Sequence, residues 1–207
     1  SLKKGWDVPA ARKRLSAISD LRDIVKTISY RPFDDRKILF DESVVWAAAR
    51  STMDHMLRGA NFALVSARSE KSGTCSHFFM SQSLVETKCG ERTTQSAVFP
   101  LYLYPAEDEF EQARRGNFDP KLYAKIQKLA THAQHGTPDE MAVFDYIYGV
   151  LHSPDYRRTF AEFLKIDFPR IPWPVSPDTF WSVSERGGTL RQLHLMDGEV
   201  VGETPYS

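Results

Sequence analysis

The pattern of apolar and polar positions divides the chain into an amino-terminal half of mixed type and a helical carboxy-terminal half. In the first half, Asp7 is placed to cap a helix whose apolar positions follow a helical spacing, and alternating residues from Ile24 to Tyr30 predict a strand. A second helix is predicted from its cap Asp41 through Leu57. Further strands are predicted at Lys37–Phe40, Phe62–Ala67, Ser76–Met80 and Thr93–Tyr104.

Helix starts in the second half are marked by a capping side chain directly before a proline. Proline suits the first helical position because its missing N–H would be unpaired there anyway. The four pairs are Asp119-Pro120, Thr137-Pro138, Ser153-Pro154 and Ser176-Pro177. Thr137 with Glu140 forms a capping box, and Gly187-Gly188 is expected to interrupt the last helix. Residues 106–117 are charged and are the expected linker.

These elements predict an α+β fold with two subdomains. Residues 1–105 are expected to form a mixed-sheet subdomain, and residues 106–207 a helical bundle that packs against it. The chain starts at Ser1 rather than Met, which is expected of a piece of a longer protein. Only two cysteines are present, so a reducing, cytoplasmic location is expected. We expect no membrane partner, because no apolar run approaches ~18 residues.

Charge is balanced over the whole chain but not between its halves. Residues 1–100 carry 16 lysines and arginines against 11 acids, whereas residues 101–207 carry 11 against 16. A basic half indicates a polyanion partner, although solvated faces are often lopsided as well. Contact with DNA requires a local basic strip and not a basic protein.

The motifs that could indicate a catalytic centre are better explained as ordinary structural features. Ser153-Pro154-Asp155-Tyr156 resembles the loop that holds an adenine amino group in methyltransferases, but aspartate replaces its second proline and a helix start is favoured. Glu162 and Lys165 are three apart on a predicted helix, which favours a surface pair over a nuclease site.

His132 and His135 have no partners with zinc-site spacing. Cys75-Ser76-His77 places a nucleophile near a base in sequence, but a catalytic dyad there is not expected. We therefore predict no catalytic residues, metal or cofactor in this chain.

Three segments carry side chains suited to DNA. In RPFDDR (residues 31–36) the arginines form either a salt-bridged corner or a DNA-facing loop that suits guanine edges or phosphates, with the following lysine as a further phosphate contact. Two polar loops, residues 66–75 and 87–95, lie between apolar strands. Each is either a base-contacting loop or an ordinary hairpin loop. The predicted DNA-contacting residues are Arg31, Arg36, Lys37, Arg68, Ser69, Lys71, Lys88, Arg92, Thr94 and Gln95.

Three motifs also carry a family resemblance. RPFDDR, FPLYLYP (residues 99–105) and the long segment from Phe144 to Pro174 occur in this order. Together they resemble the carboxy-terminal specificity region of type ISP restriction–modification enzymes, over most of the chain from Trp6 to Leu195. FPLYLYP and the proline-rich end of the long segment are expected to be packing strips between the halves.

The resemblance implies a sequence-specific module for double-stranded DNA within a larger enzyme. The parent chain would be an adenine-N6 methyltransferase with ATP-dependent restriction activity, which uses S-adenosylmethionine, ATP and Mg²⁺. The upstream methyltransferase domain of that chain is then a further partner. The alternative is a protein–protein docking module that holds the methyltransferase and motor domains. A free-standing hydrolase is a third possibility for which the residues offer no catalytic set.

Overall fold

A computed structural model of the protein describes residues 7–45, 47–69, 77–106 and 113–202. Within these residues the helices are Val8–Ser16 (α1), Arg50–Leu57 (α2), Pro120–Ala130 (α3), Glu140–His152 (α4), Pro154–Thr159 (α5), Ala161–Leu164 (α6), Pro177–His194 (α7) and Gly198–Val201 (α8). The strands are Val25–Arg31 (β1), Asp34–Leu39 (β2), Ala63–Ala67 (β3), Phe79–Ser81 (β4), Leu84–Val85 (β5), Ser96–Pro100 (β6), Tyr102–Leu103 (β7) and Arg115–Gly116 (β8). A short 3-10 helix, Leu21–Ile24, precedes β1. The predicted α+β class is confirmed.

The strands form two three-stranded sheets and one two-stranded ladder. In the first sheet, in the order β2-β1-β5, β1 and β2 are an antiparallel hairpin while β5 runs parallel to β1. The second sheet, β4-β3-β6, is antiparallel throughout. β7 pairs with β8. The last pairing corrects one expectation, because part of the charged segment predicted to be a linker is a strand.

Buried side chains form three clusters, and two of them join the halves of the chain. One cluster lies between the two sheets and α2, around Phe40, Val65 and Leu84. A second packs the helices together, and Phe78 from the sheet half joins it. The third joins Met80 and Leu101 to the helical half, where Phe144 and Tyr148 of α4 contribute. The core therefore continues across the 105/106 position expected to divide two subdomains.

Helices α4 and α7 approach each other closely at glycines. An added Cβ on Gly187 would lie 1.9 Å from the carbonyl oxygen of Asp145, and one on Gly149 would lie 2.6 Å from that of Val183. The prediction that Gly187-Gly188 interrupts the last helix was wrong, since α7 runs unbroken from Pro177 to His194. Glycine at this position allows the backbones to meet, and the packing gained there offsets its low helix propensity.

Two predicted helix starts were also wrong. Asp41 does not begin a helix, because Ala47 and Ala49 adopt left-handed backbone conformations with φ of 55° and 45°, and α2 starts only at Arg50. The Asp41 carboxylate instead accepts a hydrogen bond from the Ser43 amide at 2.8 Å. The prediction at Thr137 was wrong by two residues, and Asp139 caps α4 through the Ala142 amide at 2.8 Å.

The other caps that stand directly before a proline are confirmed. Asp119, Ser153 and Ser176 each accept a hydrogen bond from an amide in the first turn of the helix that follows. Asp7 caps α1 in the same way. None of the helices in the described ranges has the length and apolar content needed to cross a membrane.

Candidate nucleic-acid interface

The tip of the β1–β2 hairpin is held rigid by its arginines. Arg31 donates a hydrogen bond to Glu86 at 2.7 Å, and Arg36 donates to Asp34 through Nε and Nη2, at 3.0 and 2.7 Å. Both guanidinium carbons lie over the ring of Tyr30, at 4.1 and 3.8 Å from its centroid. The Arg36 hydrogen bond holds the pKa of Asp34 below its usual range. Of the two interpretations of this motif, the salt-bridged corner is therefore present.

The loop of residues 87–95 starts beside this tip. Because β5 runs parallel to β1 and pairs Val85 with Ser29, its last residue leads directly to Glu86, the partner of Arg31. Glu86 also accepts a hydrogen bond from the Lys88 amide at 2.8 Å. One carboxylate thus joins the hairpin tip to the start of the loop.

Glu91 fixes the shape of the loop from inside. Its buried carboxylate accepts hydrogen bonds from the amide of Thr93 at 2.7 Å, from the Thr93 hydroxyl at 2.6 Å and from the amide of Thr94. Burial acts to raise the pKa of Glu91, but the hydrogen bonds from Thr93 and Thr94 outweigh it and lower that pKa. The Gly90 amide donates to Ser96 at 2.9 Å and closes the turn. The loop is therefore preorganised, as base-contacting loops need to be.

The side chains on the outside of this loop remain available. Lys88, Arg92 and Gln95 are exposed, and neither cation forms an ion pair with any residue of the described ranges. Lys37 of β2 is also exposed, and its ammonium group donates a hydrogen bond to Thr27 at 2.7 Å. Guanidinium and amide groups match guanine and adenine edges, and ammonium groups match phosphates.

The third predicted segment lies at the far end of the same loop. Ala67 pairs with Ser96, so Arg68 and Ser69 leave β3 where Gln95 enters β6. Arg68 donates to Asp167 at 3.3 Å across the boundary between the halves. Lys71 and the remainder of the predicted loop up to residue 75 lie outside the described residues.

The fold therefore brings the predicted segments into one row: hairpin tip, residues 87–95, and the end of β3. The cations of these segments fall into two groups. Arg31, Arg36 and Arg68 are ion-paired with carboxylates, whereas Lys37, Lys88 and Arg92 form no ion pair among the described residues. The linking carboxylates Glu86 and Glu91 were not predicted from the sequence. The available signal was that each glutamate stands two or three residues before a polar turn residue whose amide it can bind.

A small pocket opens behind the hairpin tip, with a volume of about 200 Å³. Its polar lining includes Ser29, Asp35 and Ser81, and the Ser29 hydroxyl lies 2.8 Å from both the Asp35 carboxylate and the Ser81 hydroxyl. Phe33 and Met196 stand at its mouth, 65% and 61% exposed. Neither residue was predicted from the sequence to contact a ligand.

Two pairs of side chains that were not expected to be catalytic or metal-binding form ordinary surface contacts. Lys165 donates to Glu162 at 2.6 Å, which is the helix-surface pair that was favoured over a nuclease site. His132 contacts Asp178 at 3.0 Å, and His135 stacks on Trp181. Among the described residues no group of three or more metal-ligating side chains occurs together.

The row of segments belongs to a fold with known relatives. A family model described as the Type ISP C-terminal specificity domain matches residues 2–206. The chain belongs to this family. No curated protein sequence matches it.

Three solved structures share the fold of this specificity domain. A cryo-EM structure of a DrdV–DNA complex has a TM-score of 0.72 and 25% identity, over 95% of this chain and 18% of that one. The ATP-dependent Type ISP restriction-modification enzyme LlaBIII bound to DNA has 0.68 and 18%, over 92% and 12%. A nuclease-deletion mutant of the Type ISP enzyme LlaGI with a DNA substrate mimic has 0.57 and 24%, over 83% and 11%. The specificity domain thus spans less than a fifth of each of these chains.

Proposed function

We propose that this specificity domain recognises a particular sequence in double-stranded DNA for a larger restriction–modification enzyme. Family membership supports the role, and the three similar structures each contain DNA or a DNA mimic. The observation that carries the proposal is the row of predicted segments at one end of the two sheets. Residues 87–95 connect the sheets there and present, on a rigid turn, exposed cations that form no ion pair with any described residue.

The difference between ion-paired cations and cations without an ion pair among the described residues suggests two roles. Arg92 and Gln95 read base edges in the major groove, because they are exposed on a fixed backbone and offer paired donors or acceptors. Lys37 and Lys88 contact phosphates and fix the register of the duplex. Arg31 and Arg36 keep the hairpin in shape, and Arg68, Ser69 and Thr94 extend the surface towards the other end of the row. Lys71, which lies outside the described residues, remains a proposed DNA contact.

The chemistry belongs to other parts of the enzyme in this proposal. An upstream methyltransferase domain of the same chain, which uses S-adenosylmethionine, modifies an adenine while the specificity domain holds the duplex. ATP and Mg²⁺ serve the motor and nuclease parts. Support for the ATP-dependent part comes from LlaBIII, which is described as an ATP-dependent Type ISP enzyme, and the cytoplasm is the compartment where such an enzyme meets DNA.

The test is duplex binding by the full-length protein in which this chain occurs. The methylated site is first mapped in cells, and affinity for a duplex carrying that site is then measured against salt. Log K is expected to fall with log salt by about 0.9 for each phosphate contacted. Arg92→Ala is expected to cost about 1–3 kcal/mol and to relax the preference at one base pair. Lys88→Ala is expected to weaken all duplexes alike and to reduce the salt slope by about one contact.

Arg158→Ala is the matched control. Arg158 is an exposed arginine of α5 that pairs with Asp155 at 2.6 Å, outside the three segments. It is expected to bind like the parent protein. Equal affinity and equal site preference for Arg92→Ala, Lys88→Ala and Arg158→Ala would show that residues 87–95 do not contact DNA.

A docking role within the same enzyme is the second candidate, and one surface favours it. Tyr146, Tyr156 and the segment after α6 line an apolar groove in which Val175 is 89% and Trp173 40% exposed. A module that only docks would show no affinity for duplexes that depends on salt. Removal of Trp173 would then lower the stability of the full-length protein without changing its methylation site.

A further inference from the structure

The hairpin tip carries a side chain that the fold itself does not require. In the tight turn from Arg31 to Asp34, Pro32 is followed by Phe33, whose φ is 62°. With proline at the second position of a turn, positive φ at the third is the type II pattern, where glycine or asparagine is normally found. A bulky aromatic residue in this conformation is strained.

Burial does not compensate for the strain. The Phe33 ring is 65% exposed, and its ring contact is an edge-to-face arrangement with His194 at 5.8 Å. The backbone around it is nevertheless firmly held, because the Arg31–Glu86 and Arg36–Asp34 ion pairs fix both sides of the turn. Strain kept in a rigid turn, with the side chain directed to solvent, indicates a role in contact with another molecule.

The pocket behind the ring supplies the other half of a binding site. Its volume of about 200 Å³ lies below the ~300–1,000 Å³ of sites that enclose a cofactor-sized ligand. Its lining combines the apolar Phe33 and Met196 at the mouth with hydroxyl, carboxylate and amide groups of Ser29, Asp35 and Gln82. A planar heterocycle with polar edges fits this combination, because a π-face stacks on the ring while donors and acceptors meet its edge.

We propose that Phe33 and this pocket form a base-stacking site, in which the hairpin tip enters an opened step of the duplex and one unstacked base lies against the Phe33 ring. This inference rests on the proposed function, since it assumes that the row of basic segments lies along the duplex. The tip stands at one end of that row, next to the Glu86 junction with residues 87–95. The ligand is thus a nucleobase of the bound DNA and not a free nucleotide.

The test compares Phe33→Gly with the parent in the full-length protein. Glycine adopts positive φ without strain, so this variant is expected to unfold at the same temperature as the parent or higher. Its affinity for the intact duplex is expected to fall about tenfold, within the range found when single base-stacking aromatics are removed. The salt slope is expected to stay unchanged, because no phosphate contact is lost. Phe33→Trp, which keeps a stacking face, is expected to restore most of the affinity.

A series of duplexes with one mismatch at each position locates the opened step. The parent protein is expected to bind one mismatch position more tightly than the intact duplex, because the mismatch has already weakened the step. Phe33→Gly is expected to lose this preference, while any preference at the methylated adenine is retained. Phe160→Ala removes a half-exposed aromatic outside the row and is expected to behave like the parent.

The outcomes separate the two proposals. Equal affinity and an equal mismatch profile for parent and Phe33→Gly would overturn the stacking site and leave DNA recognition standing. A lower unfolding temperature of the full-length Phe33→Gly protein, with unchanged binding, would overturn it in favour of packing against another domain. A parent protein with no salt-dependent duplex binding would remove the proposed function itself.

Discussion

The close crossing of α4 and α7 predicts that Gly187→Ala lowers the stability of the protein. A Cβ at this position would lie 1.9 Å from the Asp145 carbonyl oxygen and 2.9 Å from the Gly149 amide nitrogen. Both are backbone atoms, so no side-chain rotation relieves the overlap. Because such contacts are essentially never shorter than 3.0 Å, the helices must separate by about an ångström here. This separation disturbs packing along the crossing of two helices that contribute to two core clusters.

Two opposing terms set the magnitude. Alanine has a better helix propensity than glycine by about 1 kcal/mol. Overpacking of a close-packed interior costs about 1–3 kcal/mol, and the upper end or beyond applies where only backbone movement relieves it. We therefore expect a net loss of about 2 kcal/mol in the free energy of unfolding. For a chain of this size that corresponds to a melting temperature lower by about 4–8 °C.

Urea and thermal unfolding of the chain, followed by circular dichroism, measure the effect. Gly198→Ala is the matched control, because nothing lies within 4 Å of the added Cβ and the residue is exposed in the first turn of α8. It is expected to leave stability unchanged or slightly higher. If Gly187→Ala is as stable as the parent, α4 and α7 do not approach each other as closely as the 1.9 Å distance requires.

Two further predictions concern buried polar groups of the same helices. Burial lowers the pKa of His152 from 6.5 to about 4, so the unfolded chain binds a proton at a higher pH than the folded chain does. The free energy of unfolding is therefore expected to be greatest above about pH 6.5 and to fall by about 3 kcal/mol as the pH drops towards 4. Urea midpoints that stay constant across this window would contradict it. Arg191→Met is expected to cost about 3 kcal/mol, because it leaves the Asp145 carboxylate, 9% exposed, without its 2.7 Å partner. The double variant with Asp145→Leu is expected to recover much of the loss, and a double-mutant cycle of denaturation midpoints would show an additive result if the two side chains do not interact.

Local signals predicted elements well where one short-range interaction decides the structure. The carboxylate of Asp119 and the hydroxyls of Ser153 and Ser176 reach amides within the next turn, so the helix start is encoded in adjacent residues. Alternation predicted β1 for a similar reason. Where two local signals competed, prediction was wrong: Thr137 and Asp139 are both good caps, and the aspartate is the one used.

Predictions also went wrong where distant parts of the chain meet. The conformation of Ala47 and Ala49 follows no local preference, because alanine favours a helix, and the region packs instead over the core between the sheets, where Ala48 contributes. Gly187 was expected to interrupt a helix on propensity alone. Its role depends on Asp145, which lies more than forty residues earlier in the chain.

The candidate site shows the same division. The amino-acid sequence by itself determined which residue types are available: the arginines and lysines of three polar segments, and the motifs that indicated the specificity-domain family. Only the tertiary structure decided that β5 runs parallel to β1 and that β3 pairs with β6, which places the three segments in one row. It also decided which cations are neutralised by carboxylates such as Glu86 and Asp167. Pairing between strands far apart in the chain has no short-range signal, because its energy comes from contacts that exist only after the chain has folded.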